Sequence, residues 1–177
     1  MTRPIMIALL ALVTATGCEE KLRPPVMELD RTELPSQESW NSTVTFSDSA
    51  RVNAILRAGH IAVYQPQQYT LLDDSIQVDF FDETGNHTSR LTALRGRVND
   101  QTRDFEAYEH VVVRSDDGTT LTTERLFWTN STRTIHTDAY VEITSPTEQI
   151  RGVGMESDQS LRNYKIFRVT GQAVTKE

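Results

Sequence analysis

The stretch LTALRGRVNDQTRDFEAYEHVVV, residues 91–113, is answered by LTTERLFWTNSTRTIHTDAYVEI at 121–143 and more loosely by IRGVGMESDQSLRNYKIFRVTGQ at 150–172. The starts lie 30 and 29 residues apart. Each copy holds a polar turn at one offset: Asp100-Gln101-Thr102-Arg103, Asn130-Ser131-Thr132-Arg133 and Gln159-Ser160-Leu161-Arg162. Two residues past each Arg comes a large side chain expected to point inward: Phe105, Ile135 and Tyr164. Compositional bias would not keep turn, Arg and bulky residue in phase three times. A looser copy spans 56–80, with Gln65-Pro66-Gln67-Gln68 as its turn.

Inside the copies the chain alternates. From 135 to 143, Ile135, Thr137, Ala139, Val141 and Ile143 share one face, and His136, Asp138, Tyr140 and Glu142 the other. That period of two marks a strand with one dry and one wet face. Ile76, Val78 and Phe80 alternate with Gln77 and Asp79 in the same way. So do Phe105, Ala107, Val111 and Val113, with Glu109 breaking the row. Each copy therefore reads as strand, turn, strand, and Ser115-Asp116-Asp117-Gly118 as a tight link between two of them. One hairpin cannot bury its apolar face alone. Stacked hairpins can, which predicts an all-β domain, either a solenoid-like sandwich or an open jelly roll. Such an array keeps two strand edges, a hazard unless they pair with something.

The rest of the chain says where this domain sits. Arg3 precedes an apolar run from residue 5 to 15, too short for a comfortable membrane span, and the run ends in Ala15-Thr16-Gly17-Cys18. Small residues before the only cysteine of the chain resemble a bacterial lipobox, with Ala15 where that pattern carries Leu. The expectation is a lipoprotein signal peptide over 1–17, acylation of Cys18, and a membrane anchor of two or three acyl chains. Residues 18–39, with Pro24, Pro25, Pro35 and six acidic side chains, read as an extended tether, and 40–177 as the β domain.

Several functions find no support. Acidic and basic residues are mixed along a chain of net charge −7, without the basic stripe of a nucleic-acid binder. No zinc-protease, nucleophile-elbow or phosphate-loop motif occurs. His60, His87, His110 and His136 are scattered at spacings that match no metal-ligand pattern, so neither metal nor cofactor is expected. Arg103, Arg133 and Arg162 form a regular row, read first as stems covering apolar surface and second as contacts to phosphate head groups.

The motif Leu-Thr-Ala-x-Arg-Gly-x-Val at 91–98, followed by a turn and the strand at 105–113, resembles the repeat unit of the OstA/LptC family. The stretch 150–158, followed by Tyr164-Lys165-Ile166-Phe167, resembles that family's closing repeat. The resemblance covers 49–172. It implies a twisted, V-shaped β-jelly roll and a non-catalytic role in lipopolysaccharide transport. The jelly roll would shield acyl chains between an inner-membrane ABC exporter and a periplasmic β-jelly-roll bridge protein, with neighbouring jelly rolls joined edge to edge. The expected groove residues are Ile76, Val78, Phe80, Phe105, Ala107, Val111, Val113, Ile135, Ala139, Val141 and Ile143. The expected partner edge carries Gly152, Gly154 and Ile166. A lipobox in place of the family's usual transmembrane helix points to a periplasm-facing lipoprotein, on the inner membrane in preference to the outer. The alternative is an adhesion or envelope-assembly lipoprotein with a closed β core.

Overall fold

The computed structural model describes residues 34–48 and 50–174. The expected signal peptide, the acylated Cys18 and most of the tether lie outside the described residues. Within them the chain forms ten strands: β1 (Gln37–Asp48), β2 (Arg51–Tyr64), β3 (Tyr69–Phe81), β4 (His87–Ala93), β5 (Arg95–Asn99), β6 (Phe105–Ser115), β7 (Thr120–Thr129), β8 (Thr134–Thr144), β9 (Glu148–Asp158) and β10 (Tyr164–Val174). One 3-10 turn, Gln65–Gln67, is the helical element among the described residues. All ten strands belong to one antiparallel sheet, ordered β1-β2-β3-β4-β6-β7-β8-β9-β10, with β5 between β3 and β6. The fold is all-β and jelly-roll-like, as expected. Its first strand begins inside the stretch read as tether: Gln37, Glu38 and Ser39 pair with Val63, Ala62 and Ile61.

The repeats appear as hairpins. The turns after β5 and β7 have the same build: the amide of Arg103 donates to the carbonyl of Asn99, and that of Arg133 to the carbonyl of Thr129, both at 2.8 Å. Both arginines adopt left-handed backbone, φ 62° and 55°. The third turn is closed differently. The Asp158 carboxylate accepts hydrogen bonds from the backbone of Ser160, Arg162 and Asn163. The looser copy is also a hairpin, β2 to β3, with Tyr64 and Tyr69 stacked beside its turn.

A line of irregularities crosses the sheet and folds it. Asp74 and Ser75 of β3 stand against the single Gly59 of β2; Glu109 and His110 of β6 against Glu124 of β7; Asp138 and Ala139 of β8 against Gly154 of β9. Each is a bulge of two residues against one, which bends its strand and increases the local twist. Asp74, Ser75, Glu109 and His110 all have positive φ, as has Gly154 at 78°. β4 and β5 share one lane of the sheet, interrupted on the same line at Leu94. Gly59 permits the first bulge because any Cβ there would overlap the Asp74 carbonyl.

Bulges aligned in this way concentrate the bend, so the two halves of one sheet face each other across a common interior. Phe80, on one side of the bend, packs on Trp128, on the other, with ring centroids 5.8 Å apart. Ile76, Leu91, Val113, Leu121, Leu126, Ile135 and Ile143 fill the same cluster. Burying each such side chain contributes roughly 1.5–3 kcal/mol. Leu161 enters this core from the β9–β10 turn, which is fastened by two bonds. Ser89 Oγ donates to the Gln159 carbonyl at 2.6 Å, and Gln159 Nε2 donates to the Phe81 carbonyl at 3.1 Å.

Candidate functional site

The inner face divides into a filled part and an open part. Ile76, Val78, Phe80, Phe105, Ala107, Val111, Val113, Ile135, Val141 and Ile143 are all buried and packed in one cluster. Where Leu56, Val78, Phe80, Phe105 and Trp128 meet, the remaining cavity is about 20 Å³. Ala139 departs from this set. It lies half-buried in the β8 bulge, where alternation is interrupted and Thr137 is the inward residue.

Openings include a hollow of about 810 Å³ at β9 and β10, lined mostly by polar and charged side chains such as Glu148, Asp158 and Arg162, and a more apolar one against β1. A cleft of about 460 Å³ is walled by Val44 and Phe46 of β1, facing Leu56, Ile61 and Val63 of β2, Leu72 of β3 and Val98 of β5. This is within the range of about 300–1,000 Å³ typical of small-molecule sites. Gln37, Thr70 and Asp100 supply a polar rim. None of its apolar residues was expected as a groove residue. The signal was present in Thr43-Val44-Thr45-Phe46-Ser47, an alternating strand that lies outside the repeats. Its inward Val44 is still exposed because nothing among the described residues covers the mouth. A larger hollow of about 560 Å³ runs along the bend, but Asn41, Arg57, Asp74, Ser75 and His110 line it, a poor match to an alkyl chain.

Among the described residues two strands are bonded on one side only, β1 and β10. Of the expected edge residues, Ile166 lies on β10, with its side chain turned inward over Gly152. Gly152 and Gly154 lie on β9, which is paired on both sides, with β8 and β10. A Cβ at Gly152 would overlap Ile166, and one at Gly154 would come 2.9 Å from the Phe167 ring. These glycines serve close packing of β10 and are not themselves an edge. On β10, Phe167, Val169 and Val174 are exposed.

Among the described residues the outer face carries ion pairs and no convergent reactive set. Asp79 is 4% exposed beneath Arg57, at 2.5 Å, and Arg90, at 2.6 Å. Burial opposes its ionisation, but hydrogen bonds from Arg90, Arg57 and Gln77 outweigh that and hold the carboxyl at about 2. Burial pushes the phenols of Tyr108 and Tyr164 up, and the latter also donates to Glu148. Among the described residues no cluster of His, Cys, Asp and Glu could hold a metal ion, and His110 and His136 are not brought together: His136 stacks on Phe127 while His110 sits in the bend. No helix of the described residues is long and apolar enough to cross a membrane.

A family model described as "Lipopolysaccharide-assembly, LptC-related" matches residues 5–173. No curated protein matches the sequence significantly.

Proposed function

Because this chain belongs to the LptC-related family of lipopolysaccharide assembly, and so takes part in lipopolysaccharide transport as a periplasmic envelope component, we propose that its cleft beneath β1 carries acyl chains. It receives lipid from an inner-membrane ABC exporter complex and passes it towards a periplasmic β-jelly-roll bridge protein. The observation that carries this reading is the apolar, uncovered cleft beside the filled centre of the core. A hydrocarbon segment of about eight methylenes transferred there from water would be stabilised on the order of 6 kcal/mol, at about 0.8 kcal/mol per CH₂. The expected groove residues, Ala139 apart, act as the packed floor against which the cleft opens. Non-catalytic transport also fits the family, since the work is burial and release. Acylation at Cys18 keeps the domain at the membrane in this reading.

The filled centre favours a second reading, an adhesion or envelope-assembly lipoprotein with a closed core. Filling the cleft separates the two. Val44 is already 38% exposed, so Val44→Trp should fold as the parent does. Lipopolysaccharide co-purifying with the membrane-extracted protein should fall several-fold in that variant, with the melting temperature unchanged. No lipopolysaccharide on the parent, or equal amounts on both, would favour the closed module.

A further inference from the structure

The two matching turns of the repeat lie side by side. The Asn130 amide donates to Asp104 Oδ1 at 2.9 Å, and Asn130 Nδ2 donates to the Thr102 carbonyl at 3.2 Å. This lacing brings Arg103 and Arg133 to one mouth, a hollow of about 270 Å³ also lined by Phe46, Ser47, Asn53 and Trp128. Arg133 reaches Glu83 at 3.5 Å, and that carboxylate is 78% exposed. Arg103 forms no ion pair among the described residues. Trp128 is 7% exposed, and its Nε1 is a buried donor with no acceptor among the described residues. Buried donors are nearly always satisfied in folded proteins, so one left open on a residue that lines a cationic mouth points to an acceptor arriving from outside.

The mouth connects with the apolar interior. Phe46, Arg103 and Trp128 also border the small central cavity, and Phe46 continues as a wall of the β1 cleft. What distinguishes Arg103 and Arg133 is that both line one mouth, Arg103 without an ion pair among the described residues and Arg133 paired with the exposed Glu83. Guanidinium groups match phosphate oxygens through paired N–H donors, and an indole N–H adds a third donor group.

We propose that Arg103, Arg133 and Trp128 Nε1 form a subsite for the phosphate of an amphipathic lipid whose acyl chain lies along Phe46 in the adjoining cleft. This rests on the lipid-carrying reading above and adds to it a head-group polarity: the phosphate end sits at the β5–β6 and β7–β8 turns. The repeat then has a use beyond folding, since two copies of one turn place two arginines at one anion.

The test uses the full chain in nanodiscs of digalactosyl diacylglycerol, a lipid without phosphate, with Trp40→Phe so that Trp128 is the sole tryptophan. Its indole N–H resonance is followed during titration with octyl phosphate, with octyl glucoside and with inorganic phosphate. The expected result is at least tenfold tighter binding of octyl phosphate than of octyl glucoside, with movement of the indole resonance. Arg103→Gln with Arg133→Gln should abolish that preference and leave octyl glucoside binding as it was. The pair Arg103→Lys and Arg133→Lys keeps charge and turn, and should retain the preference in weakened form; it carries the test if the glutamine pair melts early. Equal binding of both amphiphiles to the parent would overturn the subsite while leaving the cleft intact. Inorganic phosphate binding as tightly as octyl phosphate would make the mouth a free-anion site and overturn the lipid assignment. A preference that survives the glutamine pair would remove these arginines from the site. Binding of neither amphiphile would overturn the lipid-carrying reading, and the subsite with it.

Discussion

Asp79 shows how a single residue reports on the outer face. Its neighbours Val78 and Phe80 point into the core, so alternation puts Asp79 outside, yet Arg57, Arg90 and Gln77 cover it. Asp79→Ala leaves two half-exposed arginines without their acceptor and should cost about 2 kcal/mol, within the range for hydrogen bonds to charged groups. For a domain of this size that lowers the melting temperature by about 4–8 °C. The folded carboxyl titrates near 2 and the ordinary one at 3.8, so its contribution is complete above about pH 4. It is lost as pH falls through 2, because the unfolded chain takes up the proton first. Melts of parent and variant between pH 5 and pH 2 should therefore converge; a gap that stays constant over that range would show that the charge of Asp79 does not carry the difference. The outward position of Asp79 was legible from alternation. Its burial was not, because that depends on partners 22 and 11 residues away.

At the scale of the element, the bulges decide how one sheet becomes two facing layers. His110 is exposed and left-handed, φ 56°, in the β6 bulge. A β-branched side chain there is disfavoured by about 1–2 kcal/mol relative to a residue tolerant of that backbone. His110→Ile should lower the melting temperature by several degrees, and His110→Gly should leave it level or raise it. The reverse order would mean that β6 runs straight through this point. Strands and turns were readable because each repeat carries its own alternation and its own polar turn within some 23 residues. The bend was visible only as Glu109 interrupting an apolar row. In β8 it was hidden, since Thr137 and Val141 both face inward and Ala139 between them keeps the same parity while leaving the face. Leu161 was missed for a related reason: it sits in a turn otherwise rich in polar residues, and the core claims it through contacts with strands 70 residues earlier, marked by the Ser89–Gln159 bond.

For the whole molecule, the two ends of the sheet have different tasks. β10 offers an unpaired edge and exposed apolar side chains at Phe167 and Val169, and we propose that it pairs with a neighbouring jelly roll by strand addition. Charge on an edge strand discourages such pairing. Phe167→Lys with Val169→Lys should therefore abolish capture of the bridge protein without moving the melt, whereas unchanged capture would take β10 out of the contact. Substitutions at Gly152 or Gly154 are unsuited to this question, because they act on packing between β9 and β10. β1, at the other end, holds the cleft open. The apolar rows in the repeats foretold a shared interior but not which part stays unfilled, since that depends on how far β1 closes over β2, β3 and β5. The most direct measurement places a photo-crosslinking residue in living cells at Val44, Val63 or Val98 of the cleft, at Val111 or Ile143 of the filled core, and at outward His136 or Thr45. The expected result is lipopolysaccharide captured from the cleft positions and from none of the outward ones, with core positions weak; capture that is equal at all three sets, or that is strongest at Val111 and Ile143, would contradict a lipid site beneath β1.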